Sequence, residues 1–153
     1  MKNLSLEVNA ALQMSKPINE VFEAIVDPSK MANYFISKAS GRMEQGKTVT
    51  WRFPEFDMEF PVRIGKIEKN KYISFYWDND GFETYTEMTL TSKGNGSTLV
   101  RINEKSRDND EAGIKWLSGN TEGWANFLAC MKAYLEHSIN LRKGGFDYMM
   151  EKG

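Results

Sequence analysis

Apolar and polar positions alternate with period two along most of the chain up to Asp108, and the rhythm then changes to steps of three and four. From Asp108 to Arg142 apolar side chains recur at Ile114, Leu117, Trp124, Leu128, Met131, Leu135 and Ile139, with Thr121 in the gap. Steps of three and four keep side chains on one face of a helix. Trp116, Phe127, Ala129 and Tyr134 flank that face and widen it beyond a narrow seam. The spacing predicts one helix about 45 Å long at 1.5 Å per residue, and a face that broad needs a broad partner.

The alternating stretches supply that partner. Leu4, Leu6, Val8, Ala10 and Leu12 predict a half-buried first strand. Pro17 suits the first turn of a helix whose stripe is Ile18, Val21, Phe22 and Ile25, with Ser15 as a candidate cap. Asp27-Pro28 breaks it and opens a second short helix ending near Asn33-Tyr34-Phe35. Six further strands are expected. One runs from Ile36 to Arg42, and the others carry inner faces at Val49, Trp51 and Phe53, at Met58, Phe60, Val62 and Ile64, at Ile73, Phe75 and Trp77, at Phe82, Thr84, Thr86, Met88 and Leu90, and at Thr98, Val100, Ile102 and Glu104. Pro61 argues for an edge position or an irregularity in its strand, and Asp78-Asn79-Asp80-Gly81 is the clearest hairpin signal. No strand–helix–strand rhythm follows residue 36, so a parallel doubly wound sheet is not expected.

This order of elements resembles the helix-grip fold of the START-related and birch-pollen-allergen-like (SRPBCC) proteins. Within it the chain is similar to the group homologous to the activator of the Hsp90 ATPase. The resemblance is carried by Pro17 to Ile25 with Asp27-Pro28, Gly46 with Val49-Thr50-Trp51, Ile73 to Trp77, Gly96 to Val100, and Gly123-Trp124 followed by Phe127-Leu128. Where the family usually has a tryptophan after the Asp-Pro helix, this chain has Tyr34 before Phe35. The resemblance implies an α+β fold: a seven-stranded curved antiparallel sheet and two short helices wrapped around the long C-terminal helix, often with an apolar cavity between them. It assigns residues 1–142 to one domain and 143–153 to a tail. It does not imply one activity, since the fold hosts carriers, receptors, cyclases and co-chaperone domains.

Composition narrows the function. With 153 residues, 41% apolar and 27% charged, the chain suits one globular domain. Twenty basic and 21 acidic residues leave a net charge of −1 and no polybasic footprint for nucleic acid. No stretch reads as a membrane span or export signal, so a cytoplasmic setting is the expectation. Cys130 is the single cysteine and His137 the single histidine. A zinc site is therefore not expected, and neither a metal nor a cofactor is assigned. Cys130 reads as a small buried hydrophobe, and His137 as favouring the C-terminal end of the helix dipole.

Nine Phe, four Trp and six Tyr are many large rings for this length, and such rings can wall a ligand pocket. The candidate ligand-binding residues are Tyr34, Trp51, Phe53, Phe60, Phe75, Trp77, Thr86, Glu104, Trp124 and Leu128. Glu104 is the sharpest of them, because a carboxylate in inward phase is costly to bury unpaired. The reading that follows is a non-catalytic carrier or sensor of a hydrophobic or amphipathic small molecule. Its alternatives are a co-chaperone-like protein-binding module and an enzyme using a buried carboxylate such as Glu104. The apolar tail, Phe146 and Tyr148 to Met150, is a candidate homodimer contact, and it and Met1 to Ser5 are candidate surfaces for another protein.

Overall fold

A computed structural model describes residues 5–79 and 81–150. Leu4, Asp80 and most of the Met1–Ser5 patch lie outside the described residues. Seven strands form one antiparallel sheet: β1 (Leu6–Met14), β2 (Lys38–Ala39), β3 (Thr48–Arg52), β4 (Glu59–Glu68), β5 (Tyr72–Asn79), β6 (Phe82–Gly94) and β7 (Ser97–Arg107). Their order across the sheet is β1-β7-β6-β5-β4-β3-β2. The chain therefore winds from one edge across by hairpins, while β1 closes the other edge against β7. Two short helices, α1 (Ile18–Val26) and α2 (Pro28–Met31), link β1 to β2, and α3 (Glu111–His137) follows β7.

The period-two pattern sets the faces. On β7, Thr98, Val100, Ile102 and Glu104 are all buried, and Thr84, Thr86, Met88 and Leu90 of β6 lie beside them. Together with Val8, Met14, Ile73, Phe75, Val62 and Ile64 they make the sheet's inner face, which packs with α1, α2 and α3 into one core. Asp27 caps α2 by accepting the Ser29 N–H at 2.9 Å, and Asp110 caps α3 through the Gly113 N–H at 2.7 Å.

Several expectations are corrected. The long helix ends at His137, not Arg142, because Ser138 turns left-handed (φ 55°) and its N–H closes on Ala133 and Tyr134. The buried face of α3 runs through Gly113, Trp116, Trp124, Phe127, Leu128, Cys130 and Met131, so Ile114 is exposed and the flanking Trp116 and Phe127 are central. Gly113 explains the rotation: a Cβ there would stand 1.9 Å from the Asp108 carbonyl oxygen and 3.1 Å from Leu6, so the glycine sets this turn against the β7 exit.

The expected Ile36–Arg42 strand shrinks to two residues. Met58 precedes β4 and is exposed, and Phe82 is exposed with the Arg107 guanidinium 3.7 Å from its ring centre. At the start of α1 the cap position belongs to Pro17, with no side-chain cap bond, so Ser15 does not fill that role; its N–H instead donates to Glu136. Pro61 lies in an internal strand. It faces Thr50 of β3, while the pairing of β4 to β5 runs from Val62 to Glu68, so the missing N–H falls where β4 is locally an edge. The bulge in β4 lies further on, between Ile64 and Ile67.

Candidate functional site

Glu104 is fully buried on β7, opposite Val8 and Thr86, under the middle of α3. Four groups donate to it. Oε2 accepts from Trp77 Nε1 (2.9 Å) and Thr84 Oγ1 (2.5 Å), and Oε1 accepts from Trp124 Nε1 (2.8 Å) and Asn120 Nδ2 (2.9 Å). An indole N–H can only donate, so both oxygens face groups that an acceptor-only carboxylate satisfies. The donors come from β5, β6 and α3, and the carboxylate ties the sheet to the helix at one point. The Trp77 and Trp124 rings are held 5.7 Å apart at 43°.

Those indoles are part of a larger aromatic wall. Phe35, after α2, meets Trp51, Phe53, Trp124 and Phe127, with ring centres 4.7–5.8 Å apart. Phe53 and Phe60 meet edge to face across the β3–β4 turn. The rings do not close up. They leave a cavity of about 210 Å³ between α3 and the β3–β4 hairpin, bounded by Tyr34, Phe35, Phe53, Phe56, Phe60, Trp77, Phe127 and Cys130. A narrower cleft of about 100 Å³ beside it shares Phe35, Trp77 and Gly123 and reaches Asn120 and Trp124. Gly123 borders both, and nothing lies within 4 Å of where its Cβ would be.

The last wall comes from the chain beyond α3. Arg142, Phe146 and Met149 border the cavity, and Asp147–Met150 form one short 3-10 turn. Arg142 fixes this segment to the β3–β4 turn by a two-pronged pair with Glu55: Nη1 to Oε2 at 2.9 Å and Nη2 to Oε1 at 2.6 Å. The two side chains are 14% and 4% exposed, which separates this pair from the open surface ion pairs elsewhere. The guanidinium also stands 4.8 Å from the centre of Phe146 and 5.6 Å from that of Phe53.

The structure brings Tyr34, Phe53, Phe60 and Trp77 to the cavity and Trp77 and Trp124 to the cleft. Trp51, Phe75, Thr86, Glu104 and Leu128 lie behind the wall, buried. Tyr34 is 1% exposed at its edge, and its hydroxyl is committed to the Ala24 carbonyl at 2.8 Å. Burial, with Tyr134 beside it, pushes that hydroxyl well above the ordinary tyrosine range. Burial likewise pushes the Cys130 thiol up, against a smaller opposing pull from Arg142. Thr86 Oγ1 is buried with no partner among the described residues. Sequence reasoning missed Phe35, Asn120, Gly123, Phe127, Cys130 and Arg142 as site residues. Gly123 carried the plainest signal, a glycine inside a helix where it costs stability. No group of histidine, cysteine, aspartate and glutamate suited to a metal occurs among the described residues.

A curved sheet gripping a long helix over an aromatic cavity defines a helix-grip domain of the ligand-binding or interaction type. The family described as Activator of Hsp90 ATPase homolog 1-like protein matches residues 15–136, and the chain belongs to that family, within the SRPBCC superfamily. Among solved structures it is similar to protein SSP2350 from Staphylococcus saprophyticus, with 35% identity over 90% of this chain and 96% of that one and a TM-score of 0.79. DynU16, from the dynemicin biosynthetic locus, shares the fold at 24% identity over 88% of this chain and 48% of its own, TM-score 0.77. The Aha1 dimer from Colwellia psychrerythraea shares it at 18% identity over 86% and 97%, TM-score 0.74. No curated protein matches. No helix among the described residues is long and apolar enough to cross a membrane. The family match stops at residue 136, so Arg142, Phe146 and Met149 lie beyond it.

Proposed function

We propose that this protein is a non-catalytic carrier or sensor that takes a small apolar or amphipathic molecule into the cavity beneath Gly123. The observation that carries the reading is an unfilled space of about 210 Å³ walled by rings, with the exposed helix glycine Gly123 at its border. The driving force is removal of apolar ligand surface from water, about 25 cal/mol per Å². The space is below the roughly 300–1,000 Å³ of drug-sized sites, which favours a compact ligand. Glu104 supports an anchoring role better than proton transfer, since both its oxygens are engaged by donors from three elements.

The test is native mass spectrometry of the protein from its own host, wild type beside Gly123→Leu. A copurifying small molecule in the wild type should be absent from the variant. The variant should keep or raise its melting temperature, because replacing a helix glycine gains about 0.5–1 kcal/mol. Full retention of the molecule by Gly123→Leu would place it elsewhere and remove the cavity from the argument.

A second reading, a protein-binding role, draws on the exposed apolar side chains Phe56 and Met149 at the cavity's border and Met58, Leu141, Tyr148 and Met150 in the same two chain segments. The similar Aha1 is described as a dimer, which makes a second copy the occupant to test. Sedimentation should show a dimer that Tyr148→Ser with Met150→Ser dissociates; a monomer at all concentrations speaks against it.

A further inference from the structure

Arg142 is the only charged side chain in the wall of the aromatic cavity among the described residues. It also borders an outer groove of about 500 Å³, and Glu55 lines that groove but not the cavity. The guanidinium is thus a partition, engaged by its carboxylate from the outer side. A guanidinium carries five N–H donors. Glu55 takes two, and no hydrogen bond among the described residues takes the other three. A largely covered guanidinium that holds a carboxylate in a two-pronged fit at the border of an apolar space is a seat for a carboxylate.

We propose that the ligand is an amphipathic carboxylic acid, its carboxylate bound by Arg142 and its apolar body among Phe53, Phe60, Trp77 and Phe127. The inference rests on the cavity being a ligand site and adds the ligand's chemical class. Two carboxylates on one guanidinium would leave a net negative charge away from water, which is unfavourable. Ligand and Glu55 therefore exchange rather than share. Glu55 sits in the β3–β4 turn and lines the outer groove, so on this proposal it leaves the seat through that groove when a ligand enters and acts as a built-in competitor. A carboxylic acid fits the geometry better than a bulkier anion, because the seat already holds a carboxylate in a two-pronged fit.

The signature is a pair of opposite effects. If Arg142–Glu55 were only a structural tie, removing either partner would loosen the same wall and shift binding in the same direction for charged and neutral ligands. As an exchange seat, the two residues pull oppositely, and only on the acid. The experiment is calorimetric titration of the full chain with 2-naphthylacetate and with 2-naphthylacetamide, which share the ring body. The wild type should prefer the acid by about tenfold or more, one tenfold step being about 1.4 kcal/mol. Arg142→Gln should abolish that preference. Glu55→Gln should strengthen acid binding severalfold and leave the amide unchanged. Equal affinity of the wild type for both compounds, or a preference that survives Arg142→Gln, overturns the inference while leaving the cavity reading intact. Absence of binding by both compounds to the wild type and to Glu55→Gln removes the cavity reading and this one with it. Should Arg142→Gln fail to fold, Glu55→Gln decides alone: weaker acid binding sinks the exchange.

Discussion

At the scale of single residues, Glu104 concentrates more of the site's order than any other side chain. It holds two indoles, an amide and a hydroxyl at one point between sheet and helix. Glu104→Gln would turn an amide NH₂ toward two of those donors, leaving buried N–H and O–H groups without acceptors. Each unmet buried group costs about 1–3 kcal/mol, so urea unfolding should show a loss of roughly 2–5 kcal/mol. The near-ultraviolet circular dichroism of Trp77 and Trp124 should weaken, because their relative orientation loses its anchor. Glu104 was legible in the sequence as a carboxylate in inward phase. Its donors were not, because Trp77, Thr84, Asn120 and Trp124 come from separate elements and only the fold brings them together. Arg142 was hidden for a different reason: an arginine just past an amphipathic stretch reads as a solvated charge until the chain turns back over the β3–β4 hairpin.

Among the elements, α3 shows where pattern reading succeeds and where it drifts. Its existence, amphipathicity and place after the last strand follow from the apolar spacing. Its working face does not, because Ile114 and Ile139 keep the spacing yet are exposed, while Gly113, which carries no apolar signal, sets the helix against the β7 exit and Gly123 borders the cavity. Backbone contact at Gly113 yields a sharp expectation. Gly113→Ala places a methyl 1.9 Å from the Asp108 carbonyl, so overpacking should outweigh the propensity gain of alanine and cost about 1–3 kcal/mol. Asp110→Ala, which removes only the cap to Gly113 N–H, should cost about 1 kcal/mol. Thermal melts of the two variants would separate close packing from capping, with Gly113→Ala melting lower. The two-residue β2 marks the other limit of legibility: Ile36 and Phe35 turn inward to the core and the aromatic wall, and the stretch after them pairs only briefly with β3.

For the whole molecule, seven antiparallel strands and a gripping helix were readable because each inner strand carries its own alternation and its own turn. Ties between elements then make stability depend on pH. Glu87 on β6 accepts a hydrogen bond from Tyr72 on β5 and pairs with Lys105 on β7, and these hold its carboxyl below the ordinary 4.5. Glu23 on α1 is likewise lowered, chiefly by the fork from Arg42. A carboxylate lowered in the folded state stabilises fully above its unfolded value, and that stabilisation is lost as pH falls through the folded one. Urea midpoints should therefore hold from pH 7 to about 5 and decline below about 4.5. Tyr72→Phe should cost about 1.5 kcal/mol at pH 7, a typical loss for a bond to a charged group, and its gap from wild type should narrow toward pH 3. A gap that widened on acidification would show that Tyr72 does not act through the ionised Glu87. Apart from β1, the sheet and α3 lie almost wholly within the matched residues 15–136, whereas the segment closing the cavity begins just after them. On the carrier reading proposed above, this division makes the closing segment a modular lid: exchanging the residues after His137 is expected to change ligand choice more than it changes the unfolding of the sheet and α3.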